Sequence, residues 1–193
     1  RQIQGDPSRK LSTRPQMEKD EWEKFCEKIS ELGKYLEDEG MPLAYHHHMG
    51  TVIETQKDTE RLIENTHESV KLTLDTGHML FAKGDSKSIL QNYYERILHV
   101  HCKDIRKQVL EKSLKEDLSF RGAFLEGAFT VPGDGCIDYQ PLFNVLKNNN
   151  YSGWLVVEAE QDPAKANPLE YAKIGYKYLT DTLKKSEIEI YKN

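Results

Sequence analysis

Tyr45-His46-His47-His48-Met49-Gly50-Thr51 closes a short apolar run with three consecutive histidines and a glycine turn. In a strand, alternate side chains share a face, so His46 and His48 project one way and His47 the other. Three later stretches repeat the plan of an apolar run that ends in ligand-type residues. They are Leu72-Thr73-Leu74-Asp75-Thr76-Gly77-His78, Ile97-Leu98-His99-Val100-His101-Cys102-Lys103-Asp104 and Trp154-Leu155-Val156-Val157-Glu158-Ala159-Glu160. Four buried strands joined by helices of crossover length predict a parallel sheet.

Outward from these stretches, periodicity supplies the helices. Trp22, Phe25, Cys26, Ile29, Leu32, Tyr35 and Leu36 recur at spacings of three and four, which predicts a helix over 18–39 stopped by Gly40. Residues 1–16 read as a polar arm. The remaining pattern is a strand over 42–48, a helix over 55–65 capped by Thr55, a strand over 70–74 and a helix over 86–96. A strand over 97–102 and a charged helix over 109–118 follow. Residues 120–138 read as a glycine- and aromatic-rich loop whose Val131-Pro132-Gly133-Asp134-Gly135 is a strong turn signal. A helix over 139–147, a strand over 153–158 and a helix from Pro168 complete the chain.

Two architectures fit, an open doubly wound sheet or part of a (β/α)8 barrel. Every strand ends in ligand-type residues, whereas an open sheet concentrates its site at one switch point, so the barrel is the expectation. A whole barrel takes about 250 residues. With 193 residues and four strands, the chain is expected to be one domain covering the second half of a TIM barrel, and Arg1 in place of Met fits a truncated sequence.

Net charge is −5 and carries no basic stripe, which argues against nucleic acid as a partner. No apolar run approaches the roughly 20 residues of a membrane helix, and Cys26, Cys102 and Cys136 are odd in number and far apart. A soluble cytoplasmic protein with reduced thiols is expected, with uncovered strand edges that favour a homo-oligomer.

Alternation then selects the site. Thr73 and Asp75 share one face of their strand, His99, His101 and Lys103 one face of the next, and Val156, Glu158 and Glu160 one face of the last. Asp75, His101 and Glu158, with His46, His48 or Glu54 from the first strand end, make a mixed nitrogen and oxygen set for Mn²⁺, Co²⁺, Zn²⁺ or Fe²⁺. His99 and His47 read as structural, and Glu54 equally as a helix cap. Acid–base chemistry at such a site would use Glu160 or His48 as base, His78 as acid and Lys103 against developing negative charge. The segment with Gly133 and Asp134 would touch substrate, as would His48 and Lys103.

These motifs resemble the sugar isomerase and epimerase superfamily with the xylose-isomerase-like barrel. The histidine triplet, Phe129-Thr130-Val131-Pro132-Gly133-Asp134-Gly135 and Trp154 to Pro163 are similar to the inosose dehydratases of myo-inositol catabolism. The resemblance implies strands five to eight of the barrel and a lyase that dehydrates 2-keto-myo-inositol, a small cyclitol, to a trihydroxycyclohexane dione. It carries Asp75, His101 and Glu158 over as ligands and places His46 where relatives have Glu. An aldose–ketose isomerase or epimerase with the same ligands is the alternative activity. A self-associating, inactive metal-binding fragment is the alternative from another class.

Overall fold

The computed structural model describes residues 2–191. Glu18 N–H donates to Glu21 Oε2 at 3.1 Å and so occupies a donor that a helix start leaves bare. The helix that follows, α1 (Lys19–Asp38), buries Trp22 and Cys26. After β1 (Leu43–His46), Thr55 and Asp58 cap each other's N–H groups at 3.1 and 2.9 Å and open α2 (Gln56–Asn65). Next come β2 (Val70–Asp75), α3 (Thr76–Phe81), α4 (Ser86–Tyr93) and β3 (Ile97–Cys102). The chain continues through β4 (Asp104–Ile105), α5 (Lys107–Lys115), α6 (Phe120–Leu125) and β5 (Phe129–Thr130). It closes with α7 (Gln140–Asn148), β6 (Leu155–Val157) and α8 (Pro168–Lys185).

The main sheet has the order β1-β2-β3-β6, and every pairing is parallel. Strands that follow one another in space as they do in sequence form a winding wall with no switch point, unlike a doubly wound sheet. Register levels the strand ends: His46 lies beside Thr73, Asp75 beside His101, and His101 beside Val156. One face, with Leu72, Leu74, Val100 and Cys102, packs on Ile89, Leu142, Phe143 and Leu179 of the flanking helices. Truncating a fully buried leucine such as Leu74 to alanine costs about 2–5 kcal/mol, so this face holds the strands in place. The other face is left to polar side chains.

Three expectations need correction. The first strand ends at His46, because His48 N–H donates to Ile53 O at 3.0 Å and the chain turns away from the sheet after His46. Asp75 does more than end a strand: its Oδ1 accepts His78 N–H at 2.9 Å and starts α3 where the sequence pattern predicts no element. The segment 120–138 contains α6 and β5, and β5 pairs antiparallel with β4. The buried Asp104 carboxylate fastens its last part by accepting the Ile105, Cys136 and Ile137 N–H groups. No described helix is long and apolar enough to cross a membrane.

Candidate active site

Asp75 sits at the centre of the polar strand ends. Its Oδ1 is occupied by the α3 cap and its own N–H donates to His47 Nε2 at 3.2 Å, which fixes the carboxylate from both sides. Oδ2 therefore points outward, 3.3 Å from His46 Nε2, 3.6 Å from His101 Nδ1 and 3.3 Å from Lys103 Nζ. His101 Nδ1 in turn lies 3.1 Å from Glu158 Oε2. These last two atoms are buried and neither has a hydrogen-bond partner of acceptable geometry.

Two facing ligand atoms without a hydrogen-bond partner suit a shared cation. Ligands each about 2.1 Å from one ion stand roughly 3 to 3.5 Å apart; the separations of 3.1 and 3.3 Å fall at that spacing and 3.6 Å lies just beyond it. Asp75, His101 and Glu158 thus fit a divalent metal, with their ligand atoms within 4.8 Å of one another, and His46 reaches this set through Asp75 Oδ2. Asp75 and Glu158 raise His101 to about 9 in the metal-free protein. Burial opposes ionisation of Asp75, but His78, Lys103, His101 and His46 together hold its carboxyl well below the usual range.

A second cluster adjoins the first through Lys103. Its Nζ is 3.0 Å from Glu158 Oε1, 2.9 Å from Glu160 Oε2 and 2.9 Å from His78 Nε2, with the side chain closed to solvent. Local structure holds it there: Lys103 O accepts from Thr76 Oγ1 at 2.7 Å and from Tyr139 OH at 3.0 Å. A Cβ at Gly77 would meet Lys103 Cγ at 2.6 Å, so the lysine stem can cross the start of α3 only over a glycine. Glu160 also lies 3.2 Å from His78 Nε2 and 3.6 Å from His48 Nε2. Phe120 packs on His48 at 5.3 Å and Phe129 on His78 at 5.1 Å, forming an aromatic wall.

Burial works against charge on both Lys103 and Glu160, and their neighbours reverse it. Asp75, Glu160 and Glu158 raise Lys103, while His48, His78 and Lys103 keep the Glu160 carboxyl far below its ordinary value. Burial outweighs the pull of Asp75 on two histidines and, with their basic neighbours, pushes His78 down to about 4 and His47 to about 3. The arrangement therefore offers an ionised carboxylate, a buried ammonium and neutral imidazoles beside a metal-binding set.

Of the residues expected at the site, Asp75, His101, Glu158, His46, His48, His78, Lys103 and Glu160 come together. Glu54 does not. Its Oε2 accepts Gly50 N–H at 2.6 Å and its Oε1 faces Arg14 at 3.6 Å, so it anchors the turn after the histidines, and Asp58 with Thr55 takes the helix cap. Gly133 and Asp134 are also bound elsewhere: Gly133 N–H reaches Asp104, and Asp134 accepts from Arg106 and Thr130 at 2.6 Å each. None of their hydrogen bonds among the described residues runs to the cluster. His99 is a half-buried neighbour whose ring lies 5.3 Å from that of His101. Sequence reasoning missed Phe120 and the hydroxyls of Thr76 and Tyr139, which no motif marks.

The family model for the xylose isomerase-like TIM barrel matches residues 5–182. The chain belongs to that family. Inosose dehydratase of Clostridium beijerinckii is 50% identical over 163 residues, covering 84% of this chain and 55% of that protein. The rhizopine catabolism protein MocC of Rhizobium meliloti is 47% identical over 169 residues, covering 88% and 52%. The chain spans little more than half the length of these curated relatives. Among solved members of the fold, a zinc-bound IolI protein superposes with a TM-score of 0.66 at 22% identity, covering 90% of this chain and 60% of that one. The probable 3-DHS dehydratase AsbF of Bacillus anthracis gives 0.64 at 18%, covering 88% and 59%. At these identities the superpositions establish the fold, an α/β barrel of the xylose isomerase-like type.

Proposed function

We propose that these residues serve a metal-dependent hydro-lyase that dehydrates 2-keto-myo-inositol to a trihydroxycyclohexane dione. The observation that carries the reading is the junction at Lys103 between the Asp75, His101 and Glu158 donors and an ionised Glu160. Several inosose dehydratases at 44–50% identity support the substrate. In this reading the chain forms strands five to eight of its barrel within one domain, works in the cytoplasm and self-associates as a homo-oligomer.

His46, Asp75, His101 and Glu158 would hold Mn²⁺ or Co²⁺, with Zn²⁺ or Fe²⁺ as lesser choices. A bound divalent ion would polarise the ketone without titrating. Glu160 is the carboxylate placed to take the proton next to the carbonyl, and once protonated it leaves the Lys103 ammonium free to offset the enolate charge. Lys103 faces the developing enolate oxygen with a fixed positive charge in a water-poor pocket. We move the acid role expected of His78 to His48. His78 is neutral and enclosed, so it positions Glu160, whereas His48 borders an open cleft and reaches the departing hydroxyl.

The test is incubation of metal-loaded protein with 2-keto-myo-inositol, followed by the absorbance of the enolised dione. Product that forms with metal and stops on chelation supports the reading. An epimerised ketone without that absorbance replaces it with the isomerase reading.

A further inference from the structure

His48 is held between two rings. The His78 ring of α3 lies 3.7 Å away between centroids, and the Phe120 ring at the start of α6 lies 5.3 Å away. His48 Nδ1 sits 2.7 Å from Met49 O, a carbonyl that can only accept, so Nε2 is the nitrogen left to face Glu160 at 3.6 Å. The direction of the imidazole therefore depends on the turn that carries Met49 and on the placement of Phe120.

Both are tied to the arm. At its near end Gln2 forms an antiparallel bridge to Thr51, and Ile3 N–H donates to Gly50 O at 2.8 Å. Gly50 has φ of 74°, and a Cβ there would meet Gln4 N at 3.3 Å, so the turn after the histidines is shaped to accept the arm. At its far end Lys10 forms an antiparallel bridge to Ser119, and Leu11 N–H donates to Leu118 O at 2.9 Å. Asp117 completes this latch, its Oδ1 accepting Ser12 N–H at 2.9 Å and its Oδ2 accepting Ser12 Oγ at 2.6 Å. Leu11 is buried in one apolar cluster with Met49, Phe120 and Phe129. Ser119 Oγ accepts Gly122 N–H at 3.0 Å as the cap of α6, so the latch meets the chain immediately before Phe120.

One segment thus joins the turn beside His48 to the ring packed on it. We propose that the arm is a strap that positions the His48 imidazole, and that Asp117 is a positioning residue acting through Phe120. The inference rests on the dehydratase reading for the task of His48 as acid. An acid must be aimed within hydrogen-bond reach of the group it protonates, so a slack strap slows proton delivery. None of the arm's hydrogen bonds among the described residues runs to Asp75, His101 or Glu158, so the metal donors stay in place.

Asp117→Gly provides the test. Asp117 has φ of 49°, a left-handed conformation that glycine adopts freely, so the variant keeps the backbone and loses both contacts to Ser12. The proton resonances of the His48 ring, assigned with His48→Gln, report the rings around it, and Phe120→Leu gives their value without one of those rings. At constant pH, Asp117→Gly should move the His48 resonances part of the way to that value. It should also lower kcat per metal-loaded site for 2-keto-myo-inositol roughly tenfold with KM unchanged, as a misaimed catalytic group does. Ser12→Ala cuts the latch from the arm side and should give a smaller effect of the same kind. Unmoved His48 resonances in both variants overturn the inference whether or not the dehydratase reading holds. Moved resonances with unchanged kcat overturn the positioning role and leave that reading standing. If the loaded, unsubstituted protein does not dehydrate the ketone, the dehydratase reading falls, and the resonances still decide whether the strap positions His48.

Discussion

Lys103 Nζ lies 3.3 Å from Asp75 Oδ2 with both side chains closed to solvent, and the same ammonium faces Glu158 and Glu160. Three carboxylates thus share one fixed cation, which leaves an excess of negative charge among buried and half-buried groups. In the metal-free protein, protonated His101 meets part of that excess. A divalent ion would take its place, so metal, proton and ammonium compete for the same carboxylates.

Lys103→Met should destabilise the metal-free protein by about 3 kcal/mol, since removing one partner of a buried ion pair strands the other. Saturating divalent metal should recover much of that loss, and the variant should bind metal more tightly than the unsubstituted protein. Thermal unfolding with and without metal reads both effects. Equal metal affinity in the two proteins would show that Lys103 does not compete for the site.

Metal uptake should expel about one proton at pH 7, because a ligating imidazole must be neutral and His101 titrates at about 9. Calorimetric titrations in two buffers of different ionisation enthalpy measure the number. Affinity should rise close to tenfold per pH unit from 7 towards 9, and His101→Asn should lose both the proton and most of the affinity.

Acid should weaken the metal-free fold well above the carboxylate range. His78 and His47 have folded values of about 4 and 3 against an ordinary 6.5, so the unfolded chain takes up protons first as pH falls. Stability should therefore decline from pH 6.5 towards 4, by roughly 3 kcal/mol for His78 alone. His101 works with the opposite sign, adding stability below 6.5 that is lost as pH rises to about 9. Denaturant unfolding at stepped pH should show a maximum near 6.5, and His78→Gln should flatten the acid side.

Glu54→Gln should leave metal content unchanged, because the amide oxygen still accepts Gly50 N–H and only the contact with Arg14 is lost. The partly exposed position of Arg14 limits the stability cost to about 1 kcal/mol. Metal analysis of the purified variant checks this, and a loss of bound metal would restore Glu54 as a ligand.

The strands and long helices were legible because their information is local. The period of α1, the Thr55 cap and the apolar runs before Asp75, His101 and Glu158 each lie within one window of sequence. Short elements such as α3 and α6 were not, since six residues carry little periodicity and each begins with a side-chain cap that also fits a turn. Alternation correctly aimed Asp75, His101 and Glu158 at one rim, because parallel register levels the strand ends.

By itself the sequence determined that four strands end in imidazole, carboxylate and ammonium, and that helices cover their other face; backbone geometry and apolar spacing suffice for both. Only the tertiary structure decided which of those groups share charge. Glu54 turned to Gly50 and Arg14, Phe120 came from a helix 72 residues beyond His48 to wall it in, and Gly77 let Lys103 reach Glu160. Charge and hydrogen bonding act over a few ångströms in space, and the partners that satisfy them are brought close only by the packing of the whole chain.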